Sequence, residues 1–585
     1  MTDLFQRVVN HLTHIYAELP PAAIETLARQ LLEEMRLPPE ASQSARRPGH
    51  WSERDSYLIC YADNVLPDAD TPAPHTPLQA LRSFLDTHLR GAITGVHILP
   101  FFPWSSDDGF AVKEYTEVDT AVGSWQDIED IAAHFRLMAD LVINHCSSEH
   151  PWFRNFIAGT DPGADYFFCA SPELDLSEVI RPRTSDLLRP TETADGLKHV
   201  WCTFGHDQVD FDFSNPKVLV EFVRIVRLYL DRKVSVFRLD AVAFIWKEIG
   251  TVCLNLEQTH EIVRLLRALI ENANPDAIII TETNIPKREN LSYFGNANEA
   301  HSIYNFSLPP LLLFTLLNGN CRHLKNWLMS MPPAQMGTFY FNFIASHDGI
   351  GLRPAEGLLS DEEIHDLITA TERAGGLVSW RATSSLTRRP YELNISLWDA
   401  LSFTIANSHL GPDQWHLQRF ICAHAILLAL EGIPALYFHS LVGSGNDLER
   451  VARTQHNRHI NRRRWPQHAL NTALADPDSH HSQVLQQLKH LLQIRQEQPA
   501  FHPNATQFTL HLGDAVFAFW RQSLQREQSI FALNNVSDTE QTISLSDINL
   551  IDTDDWRDLI SDTPITLNQS QLTLAPYQSV WLSNR

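Results

Sequence analysis

The chain has 585 residues, 46 of them Lys or Arg and 70 Asp or Glu, for a formal net charge of −24. With 44% hydrophobic and 20% charged residues it reads as an acidic globular protein, which argues against wholesale disorder, a collagen-like repeat and nucleic acid as a partner. Length alone would allow roughly four domains, unless one large barrel absorbs much of it.

Residues 1–50 read as a helical extension. Leu4, Val8, Leu12 and Tyr16 recur every fourth position, Pro20-Pro21 interrupts, and Ile24, Leu27, Leu31 and Met35 resume the pattern. Asp3 and Arg7 stand where a secretion signal needs a basic head and a continuous apolar run. The seven cysteines form no CxxC pair, so a cytoplasmic protein with reduced thiols is expected. The longest apolar stretch, Leu308 to Leu317, falls far short of the roughly 20 residues that span a bilayer and carries two prolines at its start. No membrane partner is expected.

From Tyr57 onward short β-branched runs ending in polar residues alternate with helical stretches. The segments 56–63, 95–102, 137–145, 235–242, 277–283, 303–308, 339–348 and 433–439 are eight candidate strands. Helices are predicted between them, at 78–89, 217–232 and 261–273 among others. Buried strands alternating with helices imply a parallel sheet, and eight repeats imply an α/β protein closed into a (β/α)8 TIM barrel over 51–504. Two intervals, 146–216 after the third strand and 349–415 after the seventh, are too long for ordinary connections. Both follow strand C-termini, where barrel enzymes place their sites. Residues 505–585 change to short alternating runs and read as a small C-terminal antiparallel β domain. Its acid-rich run from Asp538 to Asp562 is expected to be a solvated surface.

Four strand ends carry chemistry: Asp140 with Asn144-His145, Arg238 with Asp240, Glu282, and His347-Asp348. Any one of them could be a cap or a surface acid. Together, converging on one barrel mouth, they point to a site built around carboxylates. In order, spacing and strand context they resemble the four signature regions of the α-amylase superfamily (glycoside hydrolase family 13). Further segments are similar to its sucrose phosphorylase subfamily: LICYAD at 58–63, HILPFFPWSSDDGF at 97–110, IRPRT at 180–184, FGHDQVDFD at 204–212, SHDGIG at 346–351 and NRHINRRRW at 457–465. The extension 1–50 and the PYELN form at 390–394 resemble the glucosylglycerate phosphorylases within that subfamily.

The resemblance implies a retaining mechanism, in which one carboxylate forms a glycosyl ester and a second carboxyl, about 5 to 5.5 Å away, acts as acid and then base. By that resemblance Asp240 is the nucleophile, Glu282 the acid/base and Asp348 the transition-state stabiliser. Arg238, two residues before Asp240, points to the same side of its strand and would favour the ionised carboxylate. Glu282 follows three isoleucines, where desolvation would raise its pKa. His145 and His347 would bond sugar hydroxyls, Asp107 and Arg458 would hold the far side of the glucosyl ring, and Phe110 would pack on it. Gln208, Tyr391 and Glu392 complete the substrate contacts, and Asp108 is read as structural.

A phosphate nucleophile must be attracted and oriented by Arg or Lys, or by backbone N–H groups, beside the carboxylate nucleophile. The resemblance assigns that role to Arg183, and Arg388-Arg389 would suit a carboxylate-bearing leaving group. A positive pocket is therefore expected within the acidic protein, from Arg181, Arg183, Arg238, Arg388, Arg389 and Arg458. The expected reaction transfers an α-glucosyl unit from a small α-glucoside, preferably glucosylglycerate, to inorganic phosphate, giving α-D-glucose 1-phosphate. Sucrose as donor is the alternative, and a sucrose hydrolase or transglucosidase of the same superfamily the next. No cofactor is implied. Many amylase relatives bind calcium partly through the asparagine matching Asn144, but sucrose phosphorylases do without it, so no required metal is expected.

Overall fold

A computed structural model of the chain describes residues 3–41, 50–68, 75–182, 185–382, 388–548, 556–565 and 569–585. Eight parallel strands close into a barrel: β1 (Tyr57–Cys60), β2 (Gly95–Ile98), β3 (Arg136–Val142), β4 (Val234–Asp240), β5 (Ile278–Thr281), β6 (Ser302–Tyr304), β7 (Phe339–Asn342) and β8 (Ile433–Tyr437). Each lies within, or within one residue of, one of the eight apolar segments read from the sequence. They are shorter than those segments because the polar tails leave the sheet and turn into the mouth. The strands are buried along nearly their whole length, as a parallel sheet covered by helices requires.

The covering helices follow from amphipathic spacing and local capping. Helix Pro216–Asp231 starts with proline in its first turn, and the Asn215 side chain accepts the Lys217 N–H at 3.1 Å. It buries Val218, Leu219, Phe222, Val223, Ile225, Val226 and Tyr229 on one flank. The N-terminal extension forms α1 (Leu4–Ile15) and α2 (Pro21–Glu34). Asp3 caps α1, which buries Leu4, Val8, Leu12 and Ile15. His11 Nδ1 lies 2.7 Å from Glu261 Oε2, on the barrel helix Glu257–Ala273. Arg224 ties α2 to helix Pro216–Asp231 through Glu34 at 2.7 Å. Arg36 adds an ion pair to Asp231 at 3.1 Å, so the extension is pinned to the barrel wall by a shared apolar core and polar side-chain contacts.

The apolar run Leu308 to Leu317 is a buried barrel helix, Leu308–Asn318. Among the described residues no helix is long and apolar enough to cross a membrane. The interval 146–216, which shows little periodicity in the sequence, contains helix Pro151–Ala158 and a hairpin of Leu188–Thr193 with Gly196–Trp201. The interval after β7 holds helix Asp361–Arg373 and an antiparallel pair, Leu377–Ala382 with Arg388–Asn394, which also pairs with Ile350–Gly351. Both intervals are more ordered than their composition suggests.

Toward the C-terminus, Thr506–His511, Val516–Gln522, Ser529–Asn535 and Ser579–Ser583 form most of a six-stranded sheet. One of the short alternating runs of 505–585, ITL at 565–567, lies largely outside the described residues. Among the described residues of the acid-rich run, one departs from the solvated-surface expectation. Asp558 is buried and accepts the N–H groups of Ile560, Ser561 and Trp581, so it organises a turn against the final strand.

Candidate active site

The C-terminal ends of β3, β4, β5 and β7 open into one cavity. It is lined by Asp107, Phe110, His145, Gln208, Arg238, Asp240, Glu282, His347, Asp348, Tyr391, Glu392 and Arg458, so all the residues expected to be catalytic or to contact the donor sugar meet there. Arg183, the expected phosphate contact, lies outside the described residues; its neighbour Pro182 lines the cavity.

Arg238 is the electrostatic hub. Strand periodicity puts Arg238 and Asp240 on one face of β4, and parallel register sets Asp140 of β3 beside Arg238. The guanidinium is buried and hydrogen-bonds Asp140 and Asp240, the latter at 2.6 Å, with Glu282 Oε1 3.9 Å away. It also lies over the Phe110 and Tyr304 rings, 5.7 and 5.4 Å from their centroids. Behind it Asp140 receives a second contact, from His97 Nε2 at 2.7 Å.

Burial raises the pKa of both Asp240 and Glu282, and Asp240 is raised further by Glu282. Arg238 opposes this at both, but it bonds Asp240 directly and stands off from Glu282. The direct bond from Arg238 favours the ionised form of Asp240, while Glu282 Oε2 accepts the Ala241 N–H at 3.2 Å, a weaker pull in the same direction. Two buried carboxyl groups at one cavity, only one of them bonded directly to a guanidinium, suit double displacement at a sugar carbon.

Asp348 is held from the far side. Arg458 Nη1 contacts its Oδ1 at 2.6 Å, while Arg458 Nε and Nη2 grip Glu392 bidentately at 3.0 and 2.8 Å. Gly349 permits this arrangement: a Cβ there would fall 2.4 Å from Glu392 Cγ and 2.5 Å from the Leu393 carbonyl oxygen. Glu392 also accepts from Asn394 Nδ2 at 2.6 Å. Glu392→Ala should release Arg458 from its fixed orientation and lower kcat/KM about tenfold or more with the native donor, read by initial-rate kinetics.

The wall is aromatic and neutral. Phe110 stacks on His347 with ring centroids 5.1 Å apart and planes 10° from parallel. Burial holds both His145 and His347 below the usual histidine range, with Arg238 and Arg462 adding to the effect at His347. Both are neutral hydrogen-bonding groups at ordinary pH. Asp107 takes a left-handed backbone conformation (φ 54°) and lies 3.4 Å from Gln208 Nε2. Asp108 faces away, to His459 and Arg462, each at 2.7 Å. Burial would raise its carboxyl, but those two partners hold it well below the ordinary range.

Asn144 Oδ1 accepts from Lys247 Nζ at 2.8 Å, and the same ammonium reaches Asp210 Oδ2 at 3.0 Å and the Phe211 carbonyl at 3.3 Å. These oxygens are thus supplied with a positive charge by the chain itself. Among the described residues no cluster of three or more His, Cys, Asp or Glu could hold a metal ion.

The positive pocket has a different composition from the one expected. Arg388 and Arg389 are exposed and do not line the cavity, because they stand at the start of the strand Arg388–Asn394, whose exposed end lies away from the buried Glu392 end. Arg181 turns back to the Ser185 carbonyl. Among the described residues, the arginines that do line it are Arg238, Arg458 and Arg353, the last not anticipated. Its only signal in the sequence is an Arg-Pro pair five residues beyond Asp348. Asn284, Phe306 and Phe343 also line the cavity without having been singled out.

Residues 89–349 match the model of the α-amylase catalytic domain. The chain is 40% identical to the glucosylglycerate phosphorylase of Allomeiothermus silvanus over 581 residues, covering 99% of each, and 38% identical to that of Escherichia coli over 580 residues, covering 99% of this chain and 100% of the relative. It is 29% identical to the sucrose phosphorylase of Agrobacterium vitis, over 78% of this chain and 91% of the relative. In fold it resembles the crystal structure of sucrose 6F-phosphate phosphorylase from Thermoanaerobacter thermosaccharolyticum, with a TM-score of 0.70 at 23% identity, covering 83% of this chain and 94% of the other.

Proposed function

Since the chain belongs to the α-amylase family, glycoside hydrolase family 13, and to its sucrose phosphorylase subfamily, we propose that it is a retaining α-glucoside phosphorylase whose donor is glucosylglycerate. The observation that carries this reading is the pairing of Asp240 and Glu282 across one cavity, with Arg238 bonded to the first and standing off from the second. Relatives that span the whole chain, the N-terminal extension included, bear the name of that activity.

In the first step Asp240 attacks the anomeric carbon while Glu282 gives its proton to the glycerate oxygen that leaves, so a glucosyl ester forms as the glycosidic bond breaks. In the second, a phosphate oxygen attacks the anomeric carbon of that ester, the bond from it to Asp240 breaks so that Asp240 departs as carboxylate, and Glu282 takes up the phosphate proton. Two inversions give α-D-glucose 1-phosphate. Asp348, oriented by Arg458, would hold ring hydroxyls as positive charge develops, and Phe110 would pack against the ring. We place the reaction in the cytoplasm, which the seven free cysteines support.

Arg183 is the proposed phosphate contact. Arg183→Ala should raise the KM for phosphate about tenfold or more while sparing hydrolysis of the glucosyl ester, measured with phosphate varied at saturating donor. An unchanged phosphate dependence would remove Arg183 from that role. The donor is tested by offering sucrose, sucrose 6-phosphate, glucosylglycerate and glucosylglycerol, each with and without phosphate. Glucosylglycerate should give the highest kcat/KM for release of glucose 1-phosphate, and a higher value for sucrose would overturn the donor assignment.

A further inference from the structure

Arg353 opens a short 3-10 turn, Arg353–Ala355, directly after the strand Ile350–Gly351 that follows Asp348. The turn is fixed on both sides: Leu352 N–H donates to the Tyr391 carbonyl at 2.9 Å, and Ser307 Oγ donates to the Pro354 carbonyl at 3.3 Å. Its guanidinium is half-buried at the cavity wall, and among the described residues it has no carboxylate within ion-pair distance. The two acids nearest in charge are engaged elsewhere. Glu356 pairs with Arg381 at 2.7 Å, and Glu289 accepts from Asn255 at 2.9 Å.

Burial and the neighbouring Arg381 accordingly depress the pKa of Arg353, the mark of a cation short of its counter-charge. Nearby, Asn284 sits two residues beyond Glu282, and its Oδ1 is buried without a hydrogen-bond partner. A Cβ on Gly351 would stand 3.3 Å from Asn284 Nδ2, so the bare glycine keeps this corner open. Glu282, Asn284, Gly351, Arg353 and Tyr391 thus line one cavity, the acid together with an uncompensated guanidinium and an unsatisfied amide oxygen.

We propose that Arg353 is the specificity-determining residue for the leaving group and binds its carboxylate, with Asn284 accepting from a hydroxyl of the same small hydroxy acid. This rests on the phosphorylase reading above and assigns the recognition expected of Arg388 and Arg389 to a different arginine. A planar guanidinium can take a carboxylate bidentately, which also restores the missing counter-charge. A neutral leaving group offers no such compensation. Phosphate, the other oxyanion that enters the site, shares this chemistry, so the test separates the two.

The parent, Arg353→Ala and Arg353→Lys proteins are assayed with glucosylglycerate and with glucosylglycerol as donors, and with α-glucosyl fluoride while phosphate is varied; thermal melts of all three report folding. In Arg353→Ala the ratio of kcat/KM for glucosylglycerate over glucosylglycerol should fall about 30-fold, the order of a lost charge-assisted hydrogen bond. Arg353→Lys should recover part of it. A general structural defect would lower both donors together and leave the ratio in place. A fallen ratio supports the assignment whatever the phosphate KM does. An unchanged ratio overturns it, and if the phosphate KM rises instead, the cation serves phosphate. A parent that releases no glucose 1-phosphate from glucosylglycerate overturns the phosphorylase reading itself, a result visible before any variant is compared.

Discussion

Replacing Asp240 by Asn should abolish turnover, with a loss of about 10⁴-fold or more in kcat, the order seen when a catalytic nucleophile is removed. The amide is close in shape to the carboxylate, so the packing around Arg238 changes little, but it cannot form the glucosyl ester. Arg238 would then keep Asp140 as its directly bonded carboxylate partner. Rates within tenfold of the parent, measured by release of glucose 1-phosphate, would refute the assignment. Glucose 1-phosphate release from α-glucosyl fluoride should be lost as well, because a better leaving group does not replace the nucleophile.

Glu282→Gln should behave differently. With a glucoside whose leaving group needs a proton, kcat should fall about 10²- to 10⁴-fold, whereas α-glucosyl fluoride should recover most of the rate of ester formation. The pH dependence follows from the raised pKa. Burial keeps Glu282 protonated above the ordinary glutamate range, so ester formation from glucosylglycerate is lost as pH rises through that raised value. Asp240 must be ionised, so activity also falls on the acid side. The parent should therefore give a bell-shaped profile with glucosylglycerate. The variant acting on the fluoride should lack the alkaline limb, and a limb that persists there would assign it to another group.

The barrel was legible because its strands are β-branched runs ended by polar residues, a pattern that local chemistry alone produces. Arg238 and Asp240 were legible as a pair because alternate residues of a strand share a face. The grip of Arg458 on Glu392 was not, since it joins residues 66 positions apart through the closure of an inserted hairpin on the barrel mouth. Arg388 and Arg389 looked suited to an anion by composition, yet the strand they begin carries them to the outside. Arg353 had no such signal: an arginine before proline in a loop reads as surface until the fold lays it against the cavity. Asp558 shows the same limit in reverse, an acid in a run of acids that the fold buries under three backbone N–H donors. Charge at one residue is local information, and the partner that gives it meaning is not.

The most direct test of the central claim is the fate of the glucosyl unit. Incubated with glucosylglycerate and inorganic phosphate and followed by phosphorus and proton NMR, the protein should convert phosphate to α-D-glucose 1-phosphate, one for each glycerate released, with little free glucose. Free glucose as the sole product at saturating phosphate, or the β anomer of the phosphate ester, would contradict the account.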